Sequence, residues 1–226
     1  MTRRNINLGY TVSTAAELPE SGAGYDEVVR RDYERHYAAG RDVWTDDDHA
    51  RMAVSTMIAM LAGSEPRHVL DIGAGRGRDV VPLLDAGHDV TAIDPVPAPE
   101  WAALEPPTPR TAAFAACTLA DLPADVAYDA ALDVGCFHHQ HPEDYHHYLN
   151  DVRARLRAGG LFVLLTFGTE DAAGRMYQND GGRLYREFTA AELTQVVVEA
   201  GFEAVEMSRH PRRDSGQFLV GTFRRP

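Results

Sequence analysis

Residues 133–148, DVGCFHHQHPEDYHHY, gather five of the ten histidines in the chain. Imidazole exchanges protons near neutral pH and is the commonest metal ligand, so this stretch poses a choice between a metal site, a catalytic base and an ordinary pocket wall. Its spacing argues against metal. His138 and His139 are adjacent, His141 follows after one residue, and His146 and His147 fall in the next helix. No pair stands four apart on one helical face, and no cysteines complete a tetrahedral set. With Pro142 as the first helical residue, Tyr145, Tyr148, Leu149, Val152 and Leu156 form the inward stripe. That register turns His147 to solvent and His146 to the flank, and makes His141 the start of the helix. His138 and His139, in the preceding loop, are the pair left for chemistry as general base or acceptor contact. Cys136 reads as a small packing residue.

The second chemical stretch is VLDIGAGRGRD, residues 69–79. Gly73, Gly75 and Gly77 directly follow an apolar strand and open a helix. Glycines there let a ligand touch bare backbone, and a helix N-terminus offers free N–H groups. A dinucleotide fingerprint would read G-x-G-x-x-G. Here the third glycine comes one position early and Arg78 takes its place, which disfavours hydride chemistry on a nicotinamide. Asp71 precedes the first glycine by two positions. Asp94 ends the next strand, where a carboxylate can accept hydrogen bonds from both hydroxyls of a ribose.

The elements that position these residues are legible from periodicity. From His68 onward short apolar strands alternate with helices: strands at 68–73, 89–94, 112–117, 128–134 and 161–167, a helix over 77–87, and another from Pro142 closed by Gly159 and Gly160. A late helix (188–202) and two final strands follow. Alternation of this kind predicts an α/β, doubly wound Rossmann-like sheet of seven strands with helices on both faces. Residues 1–65 read as an N-terminal arm and helical cap over the site, and 66–226 as the core. In the cap, residues 1–24 read as a loose arm, Tyr25, Val28, Val29, Tyr33 and Tyr37 share one helical face, and Thr45 reads as the N-cap of a helix through about Ala62. PVPAPEWAALEPPTPR, residues 95–110, is too rich in proline for a full crossover helix and leaves only a short turn at 100–104. GTEDAAGRMYQNDGGRLYREF, residues 168–188, reads as a mobile cover.

A formal charge of -12 and a pI near 5.2 oppose a phosphate backbone, so no nucleic-acid partner is expected. Cys117 and Cys136 stand apart without framework spacing, which predicts reduced thiols and a cytoplasmic setting. No apolar run is long enough to span a membrane, and the N-terminus has no secretory h-region.

The D-x-G-x-G-x-G spelling at Asp71–Gly77, with Asp94, the Ala120-Asp121-Leu122 turn and RAGG before an apolar strand, resembles the class I S-adenosylmethionine-dependent methyltransferases over about residues 66–224. The resemblance implies S-adenosylmethionine as cofactor. It implies contacts from Asp71, Gly73, Ala74, Gly75, Gly77, Arg78, Asp79, Asp94, Pro95, Asp121, Leu122 and Gly135. The D-x-G-C-F-H-H run, and Tyr37, Gly40, Arg41 and Trp44, resemble more narrowly the thiopurine methyltransferase-like branch, in which a tryptophan such as Trp44 lies over the cofactor. That branch implies transfer to sulfur or oxygen of a small molecule by in-line displacement, with His139 or His138 beside the methyl and His139 the one expected to face the acceptor. The acceptor pocket is expected from Tyr25, Tyr33, Tyr37, Arg41, His141, Tyr145, Phe167 and Tyr177. A nitrogen or carbon acceptor, or a non-catalytic nucleoside-binding relative, are the alternatives. No metal and no membrane partner are expected, and the chain is read as a monomer or homodimer.

Overall fold

The computed structural model describes residues 3–6, 10–42, 44–104, 110–123, 126–212 and 216–226. Seven strands form the expected doubly wound sheet: β3 (His68–Ile72), β4 (Asp89–Ile93), β5 (Ala112–Ala115), β6 (Tyr128–Val134), β7 (Leu156–Gly168), β10 (Glu203–Pro211) and β11 (Gln217–Arg224). Their order is β5–β4–β3–β6–β7–β11–β10, parallel except that β11 runs antiparallel to both β7 and β10. Alternate residues of each strand serve opposite faces. Val69 therefore joins a core layer with Val54 and Met57 of α2 (Met52–Leu61) and Val80 and Leu83 of α3 (Val80–Asp85). Leu70 and Ile72 join the other layer with Leu149 and Val152 of α4 (Tyr145–Arg155) and Leu193 and Val197 of α5 (Ala190–Glu199). Thr189 and Glu192 close a reciprocal capping box on α5.

The structure extends this sheet by four strands: β1 (Arg3–Ile6), β2 (Tyr10–Thr14), β8 (Arg175–Asn179) and β9 (Leu184–Phe188). The loose arm of residues 1–24 thus contains two strands, and the mobile cover of 168–188 is a β8–β9 hairpin paired through β2 and β7. β6 stops beside Leu165, and β9 takes its place along β7 at Phe167 and Gly168. Within residues 1–65, Ala53, Val54, Met57 and Leu61 of α2 are buried in the core, and β2 continues the sheet.

Several boundaries differ from the sequence reading; the helix expected over 77–87 is the shorter α3, and the strand expected over 161–167 begins at Leu156. Asp47, not Thr45, caps the N-terminus of the helical segment, accepting from the His49 amide at 3.1 Å ahead of a 3-10 turn and α2, while Thr45 donates to Asp42 at 3.0 Å. α4 ends at Arg155 rather than at the glycines, because β7 begins at Leu156. The proline-rich link keeps one 3-10 turn, Pro99–Ala103; its residues 105–109 lie outside the described residues. No helix among the described residues is long and apolar enough to cross a membrane.

Candidate active site

The turn after β3 is shaped by three glycines at positive φ: Gly73 at 72°, Gly75 at 55° and Gly77 at 83°. Side chains there would be strained, and they would also collide. A Cβ on Gly73 would lie 1.9 Å from the Cys136 sulfur, and one on Gly75 would lie 2.9 Å from the Tyr37 hydroxyl. Asp94 holds the turn from the side, accepting from the Gly75 amide at 3.0 Å and the Val96 amide at 2.8 Å. Each carboxylate oxygen keeps a second acceptor site. Burial raises the Asp94 pKa only in part, because those two amides oppose it.

Above the turn lies a cavity of about 600 Å³, within the usual range for a bound small molecule. Gly73, Ala74, Gly75, Arg78, Asp79, Asp94, Pro95 and Gly135 line it, as does Trp44. Asp71, Gly77, Asp121 and Leu122 do not. Asp71 is buried beneath the turn, its Oδ2 without a hydrogen-bond partner, and burial with the nearby Asp79 pushes its carboxyl well above the usual range. Asp121 is exposed and caps its own turn, accepting from the Thr118 amide at 3.0 Å and hydroxyl at 2.7 Å. Thr118, Leu119 and Ala120 face the cavity instead. Arg78 lies against its wall but spends its guanidinium on Asp79, at 3.0 and 2.6 Å, and on the Trp44 carbonyl at 2.8 Å. It thereby staples the cap to the glycine turn.

Beyond Gly135 the cavity is walled by flat rings. His138 stacks on Phe167 at 4.1 Å, and His139 meets the edges of Tyr185 at 4.5 Å and Tyr33 at 5.9 Å. Both imidazoles line the cavity. The turn carrying them is fixed by Asp133, fully buried at the end of β6, which accepts from the Cys136 amide (2.7 Å), the Phe137 amide (3.1 Å) and the Tyr148 hydroxyl (2.7 Å). His139 Nδ1 lies 2.7 Å from the Leu184 carbonyl, which makes Nδ1 the protonated nitrogen and Nε2 the acceptor. Burial lowers both imidazole pKa values well below the usual range, with Arg212 and Arg183 adding to it at His138, and His138 and Arg183 at His139. Both rings are therefore neutral at physiological pH and weak bases.

The expected acceptor wall divides. Tyr33, Tyr37 and Phe167 line the cavity, whereas Tyr25, Arg41, His141, Tyr145 and Tyr177 do not. The Tyr25 hydroxyl donates to the His139 carbonyl at 2.6 Å and accepts from the Leu184 amide at 3.0 Å, so it positions the histidine turn from behind. Arg41 is exposed. His141 accepts from the Glu143 amide at 3.2 Å and contacts the Pro19 carbonyl at 3.0 Å, capping the start of its helix. Tyr145 packs on Phe137 and Phe188, and Tyr177 belongs to the core layer of α2. His146 and His147 sit on the open face of α4, beside Glu199 and Asp151. Among the described residues no three histidine, cysteine or acidic side chains are grouped to hold a metal ion. Sequence reasoning missed Arg183, which is buried, lines the cavity and pairs with the buried Asp32 at 2.9 Å. Its partner stands in a distant helix, so no local spacing announces it.

A family profile described as a methyltransferase domain matches residues 46–207. The chain belongs to this methyltransferase family. The 1,6-didemethyltoxoflavin-N1-methyltransferase of Burkholderia thailandensis, solved with 1,6-didemethyltoxoflavin and S-adenosylhomocysteine, is 40% identical, covers 100% of this chain and 99% of its own, and superposes with a TM-score of 0.93. The N-methyltransferase NodS of Bradyrhizobium japonicum WM9 shares the fold at 16% identity, with 87% of this chain and 98% of that one covered and a TM-score of 0.65. A structure from Listeria monocytogenes does so at 14%, with 78% and 99% covered and a TM-score of 0.60. No curated protein matches the chain.

The methyltransferase uses S-adenosylmethionine, and the bare glycine turn with the Asp94 carboxylate beside it fits that cofactor. When bound, it supplies an electrophilic methyl whose leaving group is a neutral thioether. Replacing Asp94 by alanine removes its hydrogen bonds from the Gly75 and Val96 amides and the carboxylate expected to receive the ribose hydroxyls. Its expected effect is a loss of about 1–3 kcal/mol in S-adenosylmethionine affinity by titration calorimetry; wild-type affinity in that variant refutes the ribose role.

Proposed function

We propose that this methyltransferase transfers a methyl group to a nitrogen of a small, planar heterocycle. The observation that carries the reading is the shape of the cavity beyond Gly135, where His138 and Phe167 stack and Tyr33 stands edge-on to His139, all four lining it. Such walls suit a flat ring system. The whole-length relative at 40% identity is an N1-methyltransferase, which supports nitrogen as the acceptor. Sulfur and oxygen, implied by the D-x-G-C-F-H-H run, are the competing acceptors. The test is S-adenosylhomocysteine release with 1,6-didemethyltoxoflavin, uracils, thiols, halides and phenols, followed by mass spectrometry of the product. An N-methyl product supports the proposal, and turnover confined to thiols, halides or phenols overturns it.

In this reading the protein works by alignment and exclusion of water, since methyl transfer from a sulfonium needs no enzyme nucleophile. His139 positions the acceptor through Nε2 and does not deprotonate it: burial leaves the ring too weak a base. His139→Gln is expected to keep turnover within roughly 3-fold and His139→Ala to lose roughly 10-fold, well short of the on the order of 10²-fold that removal of a general base brings. Neither variant shifts the pH profile. A profile that loses a limb in both variants would restore His139 as the base. Tyr25→Phe removes the bridge between the His139 carbonyl and the Leu184 amide and is expected to cost about 1–2 kcal/mol of stability in denaturant unfolding.

A further inference from the structure

His138 and His139 are neighbours in one 3-10 turn, their ring centroids 4.2 Å apart, and both line the cavity. A neutral imidazole offers one N–H and one lone pair, so the place of the proton decides what each ring presents. The surroundings fix that place differently at the two residues. His139 Nδ1 donates to the Leu184 carbonyl at 2.7 Å. Leu184 does not line the cavity, so this bond ties one side of the ring to the protein and leaves Nε2 as a lone pair on the other. Tyr33 of α1 (Ala23–Ala38) stands edge-on to the same ring at 5.9 Å.

At His138 the protein offers Nδ1 nothing. That nitrogen is enclosed and has no hydrogen-bond partner among the described residues. A proton there would be a stranded donor, and orphaned buried N–H groups are rarer in proteins than orphaned acceptors. The proton therefore sits on Nε2. The Cε1–Nε2 edge is turned to Gly135, which lines the cavity: a Cβ on Gly135 would lie 3.4 Å from Cε1 and 4.0 Å from Nε2. Stacking on Phe167 at 4.1 Å, and the bonds from Asp133 to the turn, hold the ring in this orientation. Burial keeps both imidazoles neutral, so neither presents two donors.

We propose that His138 and His139 together read a lactam edge of the acceptor, a ring carbonyl beside a ring N–H: the carbonyl accepts from His138 Nε2, and the N–H donates to His139 Nε2. The inference rests on the reading of the acceptor as a planar nitrogen heterocycle, and it narrows that class to lactams. Two adjacent imidazoles of opposite tautomer form a donor beside an acceptor, and a lactam edge is the complement of that pair. A ligand that lacks either half leaves a buried ring nitrogen unpaired, so the site selects by rejection as well as by attraction. The N–H held by His139 keeps its proton, and the methyl goes to another nitrogen of the same ring system.

Two flat bicyclic probes of one shape separate the halves. Isoquinolin-1-one carries N–H beside C=O, and isocoumarin has oxygen in place of that N–H. With the S-adenosylhomocysteine complex in the calorimeter, the wild type is expected to hold the lactam roughly 10-fold more tightly than the lactone. His139→Leu brings that ratio close to one. His138→Phe keeps the ring stack but loses the donor, so it weakens both probes by roughly 10-fold and preserves the ratio. Unchanged S-adenosylhomocysteine affinity certifies the fold of each variant. The wild type also answers alone: long-range proton–nitrogen NMR of histidine-labelled protein should show the proton on Nε2 of His138 and on Nδ1 of His139. Equal affinity of the wild type for the two probes, binding of neither, or one tautomer shared by both histidines overturns the inference while N-methylation stands. Turnover confined to thiols, halides or phenols overturns the functional reading as well.

Discussion

Gly73→Ala is expected to weaken S-adenosylmethionine binding by roughly 100-fold, or about 2.7 kcal/mol, and Cys136→Ala is expected to restore much of it. Two effects combine at this position. The φ of 72° strains any residue with a Cβ, at about 1–3 kcal/mol. The added methyl would also lie 1.9 Å from the Cys136 sulfur, so the glycine turn or the Cys136 turn must move, and both line the cavity. Removing the sulfur leaves the Cys136 Cβ as the nearest atom, at an ordinary 3.7 Å. The double variant therefore retains only the backbone strain, and its affinity should exceed that of Gly73→Ala by roughly 10-fold, a non-additivity of the size seen for contacting residues. Calorimetry on the four proteins of the cycle decides. Additive losses would mean that the two turns do not meet as described.

The second large effect belongs to Asp133. Replacing it by alanine strands the Cys136 and Phe137 amides and the Tyr148 hydroxyl inside the protein, and the expected cost is about 3 kcal/mol or more in unfolding free energy. Turnover should fall further than stability explains, because the same three bonds fix the turn that carries His138 and His139. The pH dependence has a definite sign. Burial pushes the Asp133 pKa from 3.8 up to about 6, so the folded state holds this proton more firmly than the unfolded chain does. The resulting stability is full below about pH 4 and is lost as pH rises through about 6, by up to about 3 kcal/mol. Asp133→Asn is neutral throughout and should show no such decline. Measured between pH 4.5 and 7, a constant stability difference between wild type and Asp133→Asn would refute the assignment.

The parts of the molecule that were legible in the sequence are those specified locally. Gly73, Gly75 and Asp94 announce themselves because backbone geometry and strand ends dictate their types within a few residues. The seven core strands follow from apolar alternation in the same way. The four added strands escaped notice because β2 and β8 have few apolar residues and owe their form to each other, across most of the chain. The same distance hid the pairing of Asp32 with Arg183. Asp133 reads in the sequence as one more strand residue, since its role depends on the tyrosine of α4 that reaches back to it. Tyr25 and His141, expected in the acceptor pocket, do not line the cavity: their hydroxyl and imidazole fasten backbone.

The pairing of β2 with β8 sets an order of events. Val12 meets Asn179, and Thr14 meets Tyr177, so β2 must await a partner strand made much later in the chain. Contacts so far apart in the chain form late, after the loop between them has been closed at an entropic cost. The β3–β4–β6 core can assemble from nearer neighbours, but Asp32, Tyr25 and the β8–β9 hairpin come together only once synthesis has passed residue 188. A nascent chain can thus build its glycine turn before Arg183 arrives to complete the far wall of the cavity.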